Sequence, residues 1–381
     1  MPHALIFSLF LFTLVAFPSP AGAAVKAAPF EVSGWIPYWR VASGTIDVLP
    51  RVGALSALSP FGYIVQNDGT LYDAYGLGSP TSSTTPLALA LLALAKQQKV
   101  RVVPTIMWSN GEAIHRILSN QKTRIALEDE IAALAKSQGF DGVTIDFEGK
   151  YAKTKPYFST FLKGLYQRLG KLWVYCAIEA RTPLTSRYDG TPPPEAGVYA
   201  NDFAAINKYC DRVQLMAYDQ QTIDVKLNAA ASPEPYIPVA DPEWVRKVVN
   251  LAAASIPKHK IMIGVATYGH EWHAEPLSIS GYRYLKQWAF NPIYALDLAR
   301  EHGVTPVRNR AGELSFSYVP EGDIAPGAFN ILWWSDAEAI RDKVELAKEL
   351  GVRGVAIFKL DGGQDPKMWD VLLASQIVAA R

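Results

Sequence analysis

Thr144, Asp146 and Glu148 stand at alternate positions in the run Phe140-Asp141-Gly142-Val143-Thr144-Ile145-Asp146-Phe147-Glu148-Gly149. In a β-strand, side chains two apart share a face, so these three look one way while Ile145 and Phe147 look the other. Two carboxyl groups held close together on a buried face raise the pKa of at least one of them. A proton is then retained near neutral pH, which is what a general acid requires. If the strand belongs to a barrel, the polar set points inward and climbs to the C-terminal mouth, with Glu148 last. Desolvating acids there is costly and packing alone does not reward it, so acid catalysis is the favoured reading. The alternative is an ion pair with a Lys or Arg.

A strand of this kind needs others beside it. Short apolar runs recur at Phe30–Trp39, Leu58–Val65, Val100–Trp108, Asp141–Glu148, Leu172–Glu179, Val213–Tyr218, Ile261–Tyr268 and Gly354–Leu360. Amphipathic stretches at Pro86–Gln98, Arg124–Ser137, Pro156–Leu169, Pro242–Ala254 and Asp336–Leu350 alternate with them. The last has an acidic start, i/i+4 charge pairs and Gly351 at its C-cap position. The first helix, within Thr45–Val52, matches least well. Strands alternating with helices imply a parallel sheet, and eight of them imply an α/β fold of (β/α)8 TIM-barrel type, with an open doubly wound sheet second. One connection, after the seventh strand, is far longer than an ordinary loop and holds short β-like pieces at Thr305–Val307 and Leu314–Tyr318. It reads as a small α+β insertion between strand 7 and helix 7, at approximately residues 273–330.

Composition narrows the function classes. The 381 residues carry a net charge of +1 and only 19% are charged, so nucleic acid is not an expected partner. Aromatic residues make up 11%, enough for a ring-lined cleft as well as a core. The apolar run from Ala4 to about Phe17, followed by Ala21-Gly22-Ala23, reads as a signal peptide over residues 1–23. An uncleaved N-terminal anchor is the alternative. No later stretch is long and apolar enough to span a membrane, so a secreted, periplasmic or cell-envelope location is expected. Cys176 lies mid-strand and Cys210 precedes the next strand. In parallel strands they fall several residues out of register, about 3.3 Å per residue, so two buried free thiols are expected.

The run around Glu148 resembles the D-G-x-D-x-D-x-E signature of glycoside hydrolase family 18, the chitinase and peptidoglycan-glucosaminidase family. Further segments are similar to that family in order along the chain. They are Ser59-Pro60-Phe61, Met216-Ala217-Tyr218-Asp219, the segment Ala266 to Trp272, Trp333 to Glu338, and Gly354-Val355-Ala356-Ile357-Phe358. The resemblance implies substrate-assisted, retaining hydrolysis of β-1,4-linked N-acetylglucosamine glycans, chitin or peptidoglycan, a scheme distinct from the two-carboxylate one. Glu148 would protonate the glycosidic oxygen. Asp146 would orient the substrate's acetamide, which attacks the anomeric carbon, and would stabilise its developing charge. Tyr218 would bond the acetamide oxygen, and Asp219 would hold the distorted sugar. No metal or organic cofactor is needed.

Two positions depart from the family pattern. Thr144 replaces the middle Asp, removing the partner that exchanges a proton with Asp146, so an altered pH profile is expected. Phe358 stands where chitinases place a Trp beneath the reacting sugar, giving an apolar floor with less stacking area. The ending from Gly354 to Leu360 leans toward the bacterial cortex-lytic branch. Of the rings near strand ends, Trp35, Trp272 and Trp334 are expected to stack on sugars, with core packing the competing account for any one of them. His270 and His273 lack the spacing of a helical zinc site, and no G-x-S-x-G elbow or phosphate-binding loop is present. A catalytically silent glycan-binding protein on the same barrel, or an interaction protein using the insertion surface, are the alternatives from other classes.

Overall fold

A computed structural model of the chain describes residues 29–78, 85–277, 281–322 and 325–377. The expected leader at 1–23 lies outside the described residues. Eight parallel strands close on themselves: β1 (Glu31–Pro37), β2 (Ala57–Val65), β3 (Arg101–Val102 and Thr105–Trp108), β4 (Gly142–Phe147), β5 (Trp173–Glu179), β6 (Arg212–Met216), β7 (Ile261–Ala266) and β8 (Gly354–Phe358). Each pairs with the next, and β8 pairs with β1, so the sheet is a barrel rather than an open layer. Helices cover its outside, as apolar strands with both faces buried require.

Local chemistry places the helix ends. The Asp336 side chain accepts the Ala339 N–H at 3.0 Å to start the helix Ala337–Leu350, and Gly351 ends it with φ +67°. The first helix runs Val41–Val48, earlier than the sequence pattern implies, because Pro50 lies within the following 3-10 turn, Leu49–Ala54. The long connection after β7 builds a five-stranded antiparallel sheet. Its central strands are Gly269–Pro276 and Phe329–Trp334, with Tyr282–Phe290 outermost on one side. The helix Pro292–Glu301 joins the two halves. A buried carboxylate ties this sheet to the barrel: Glu313 accepts the Val239 and Ala240 N–H groups at 2.9 and 2.7 Å.

The two cysteines form a disulfide, correcting the expectation of free thiols. Cys210 does not continue the line of β6. It sits at the end of the helix Phe203–Tyr209, where the chain turns toward the strand. Cys176 faces outward from β5 into the same layer, and their Cα atoms are 6.0 Å apart. The bridge closes a loop of 34 residues, which removes about 3–4 kcal/mol of conformational freedom from the unfolded chain. The Cys176→Ala/Cys210→Ala variant is therefore expected to unfold at lower denaturant concentration by about that free energy. An unchanged midpoint would mean that the bridge does not limit the unfolded chain.

Candidate active site

Phe147 faces the helix layer, its ring 5.2 Å from Phe161 and 6.0 Å from Phe158 of the helix Lys155–Leu169. Its neighbours on β4 must then face the lumen. Thr144 and Asp146 are buried there, and Glu148, just beyond the strand, is half-buried. The Glu148 N–H donates to the Trp108 carbonyl at 2.7 Å, fixing the acid at the barrel mouth. Burial, reinforced by the Glu148 carboxylate, holds the Asp146 carboxyl well above the usual carboxylate range. Burial and then Glu179 raise Glu148 as well. Among the described residues neither acid forms an ion pair: the nearby lysine, Lys150, pairs with Glu179 instead.

Thr144 does not replace the carboxylate that the family pattern puts at its position. Its hydroxyl donates to the Val103 carbonyl at 3.2 Å, and Asp146 Oδ1 has no partner among the described residues. The segment after β6 brings Tyr218 and Asp219 to the same mouth. Tyr218 is pushed well above the usual phenol range by burial and by the charges of Asp146 and Asp219. Asp219 has φ +56°, a left-handed conformation rarely adopted by a non-glycine residue. Two groups hold it there: Tyr268 donates its hydroxyl to Oδ1 at 3.0 Å, and His270 Nε2 lies 2.7 Å from the same oxygen. Burial, then Lys286, pushes the His270 pKa down to about 3. Burial raises Asp219 itself.

Phe358 forms the floor. It stacks on Tyr218 at 5.6 Å and meets Trp35, Phe61 and Tyr268 edge-on at 6.0 to 6.1 Å. Trp35 lies beneath it, buried, with its indole N–H donated to Thr105 Oγ1 at 3.1 Å. Trp35, 2% exposed, Trp272 and Trp334 do not offer a ring face to the opening, which corrects the sugar-stacking role expected of all three. Trp334 is 0% exposed in the insertion core between Phe290 and Phe316, and Trp272 is only 5% exposed. Rings that open outward are others. A cleft of about 710 Å³ runs between barrel and insertion, with Trp39, Tyr268 and Phe358 on one side and Lys286, Trp288 and Tyr294 on the other. Trp39 is 50% exposed and Trp288 49%.

Sequence reasoning counted Trp39 among the rings near strand ends but did not single it out, and it missed Trp288, Lys150, Glu179 and the hold that Tyr268 and His270 have on Asp219. One signal was available: Glu179 ends β5 in the same inward phase as Tyr175 and Ala177, just as Glu148 follows Asp146. Trp288 carries no such signal, because the strand containing it faces the cleft only through the insertion's own packing. Among the described residues, no group of three His, Cys, Asp or Glu side chains is placed to hold a metal ion. No helix among them is long and apolar enough to cross a membrane.

Comparison with known proteins agrees with this geometry. The model of Glycosyl hydrolases family 18 matches residues 75–363. The uncharacterized glycosylase YvbX of Bacillus subtilis is 24% identical over 288 residues, covering 74% of this chain and 76% of that protein. The cortical fragment-lytic enzyme of Bacillus subtilis is 25% identical over 331 residues, covering 84% and 68%. The crystal structure of the spore cortex-lytic enzyme SleL of Bacillus megaterium superimposes with a TM-score of 0.68 at 25% identity, covering 94% of this chain and 75% of that one. With a closed (β/α)8 barrel, paired acids at its C-terminal mouth and a family match over most of its length, the chain belongs to glycosyl hydrolase family 18 and is a glycoside hydrolase.

Proposed function

We propose that the protein hydrolyses β-1,4-linked N-acetylglucosamine glycans with retention of configuration, using the substrate's own acetamide as nucleophile. The observation that carries this reading is the buried Asp146–Glu148 pair, with both carboxyls raised and neither tied up by a cation. Such a coupled pair keeps one proton and one negative charge between them across neutral pH. The proton, delivered by Glu148, serves the departing glycosidic oxygen. Burial favours that proton on Asp146 at rest, and its passage to Glu148 as the acetamide oxygen attacks the anomeric carbon leaves the charge on Asp146, facing the oxazolinium ion that forms. Tyr218 donates to the acetamide oxygen and aligns it for attack. Asp219, held by Tyr268 and His270, receives hydroxyls of the distorted sugar. Water then opens the oxazolinium, with Glu148 now acting as base. The anomer released first distinguishes this path: proton NMR of early chitin-oligosaccharide products should show the β-anomer, whereas an α-anomer points to inversion.

The polymer we favour is peptidoglycan, because a relative named a cortical fragment-lytic enzyme aligns over 84% of the chain. An exported protein fits this substrate, and the Cys176–Cys210 bridge fits an oxidising compartment. Chitin oligosaccharides share the reacting unit and serve as soluble substrates.

Trp39 and Trp288 are the rings with open faces on opposite sides of the cleft, and they carry sugar stacking in this reading. Losing one such face removes about 1–1.5 kcal/mol of binding, a factor of roughly ten. Trp39→Ala and Trp288→Ala are each expected to raise KM about that much with kcat little altered. The same change in Trp334 is expected to lower stability instead, because that ring is buried. Unchanged KM in both cleft variants would remove them from the binding surface.

A further inference from the structure

Lys150 lies two residues past Glu148 with its side chain 1% exposed, and a lysine that deeply buried has to be paired. Its ammonium donates to the Phe147 carbonyl and faces both Glu179 oxygens at 3.3 Å. Glu179, from the end of β5, reaches back into the same loop. Its Oε1 accepts the Gly149 N–H at 3.1 Å, and its Oε2 accepts from Asn201 Nδ2 at 2.6 Å. The peptide groups on both sides of Glu148 are therefore held by one ion pair, the first through its carbonyl and the second through its N–H. The loop has no slack. Gly149 sits at φ +64°, and a Cβ on Gly111 would lie 2.2 Å from the Gly149 carbonyl oxygen.

We propose that Lys150 and Glu179 are positioning residues for acid catalysis, a clamp that fixes the backbone around Glu148 and sets the charge beside its carboxyl. This rests on the reading of Glu148 as the proton donor. The groups facing that carboxyl are Asp146 and Lys150 from β4 and its loop, Glu179 from β5, Tyr218 and Asp219 after β6, and Tyr268 after β7. Among them Glu179 and Asp219 oppose ionisation of Glu148, and Lys150 favours it. The two halves of the clamp thus push the acid's titration in opposite directions, which a purely mechanical support would not do.

The test is the pH dependence of kcat/KM on chitin hexasaccharide, or on purified peptidoglycan if the oligosaccharide is not turned over. Glu179→Gln removes a negative neighbour and leaves Lys150 unpaired, so Glu148 ionises sooner. The alkaline limb is expected to fall by about one pH unit, the effect of one charge beside a half-buried carboxyl. Lys150→Gln is expected to raise the same limb. Reduced turnover in both variants with the limb where the wild type has it would overturn the proposal. Lys150→Gln leaves unpaired only Glu179, which is 38% exposed, so that variant should fold and decides the matter alone if Glu179→Gln, which strands the buried Lys150, does not. Glu148→Gln assayed in parallel separates the two ideas. Wild-type turnover in that variant overturns the acid assignment and the clamp together. An inactive Glu148→Gln with unmoved limbs in the others overturns the clamp only.

Discussion

Glu148→Gln is expected to lower kcat by about 10³-fold, within the usual range for losing a general acid, while glycan affinity stays close to that of the wild type. The amide has the shape of the acid but no proton to give. The elements that place residue 148 do not depend on its carboxyl: the Glu148 N–H to the Trp108 carbonyl, and the Lys150 and Glu179 contacts on either side, remain. Loss of turnover should therefore appear without loss of fold, checked by thermal unfolding, or of binding, checked by calorimetry with chitin hexasaccharide. A poor glycosidic leaving group makes the deficit large. Glycosides whose leaving groups need no protonation, such as nitrophenyl conjugates, should recover the bond-breaking step alone, because opening of the oxazolinium also uses Glu148. A variant that keeps a tenth or more of wild-type turnover on natural linkages would put the acid elsewhere. A wild type that binds glycans and cleaves none would mark the silent, glycan-binding alternative.

The second large effect is expected at Asp146. Asp146→Asn preserves volume in a site where the side chain is 5% exposed, so packing is little disturbed. On the proposed mechanism, what disappears is the negative charge that would face the oxazolinium intermediate in a dry, low-dielectric pocket. Losing one preorganised electrostatic partner of that kind reduces kcat by roughly 10²–10³-fold. The charge role predicts more than a slower enzyme. A thiazoline derived from N-acetylglucosamine, which imitates the oxazolinium ring, should bind the variant about tenfold less tightly, while a neutral oligosaccharide binds it as before. Equal affinity for the thiazoline in both proteins would reduce Asp146 to a steric role. Thr144→Asp offers the converse comparison. Its carboxylate would supply the inner proton partner that the Thr144 hydroxyl, bonded to Val103, does not, and the pH profile should broaden.

The barrel was legible in the chain because its signal is local and repeated. Each strand of a (β/α)8 fold is a short apolar run followed by an amphipathic helix, and both periods survive in one dimension. Period two along β4 likewise put Asp146 and Glu148 on one face before any fold was known. The same period along β5 turns Glu179 inward, but the residue was passed over because no motif drew attention to it.

What the chain alone did not disclose depends on contacts between segments far apart in sequence. Cys176 and Cys210 look mismatched along two extended strands, yet they meet because the helix Phe203–Tyr209 ends with Cys210 against the outer face of β5. Trp272 and Trp334 have the composition of sugar-binding rings, and only the antiparallel pairing of Gly269–Pro276 with Phe329–Trp334 turns them into an interior. The same sheet leaves Trp288 facing the cleft opposite Trp39. Residue type and alternation thus settled the acid pair and the fold that carries it, since a strand's period needs no partner to be read. The cleft's open rings, the disulfide and the Lys150–Glu179 clamp were decided by tertiary packing, because burial is a property of what lies opposite a side chain rather than of the residues beside it.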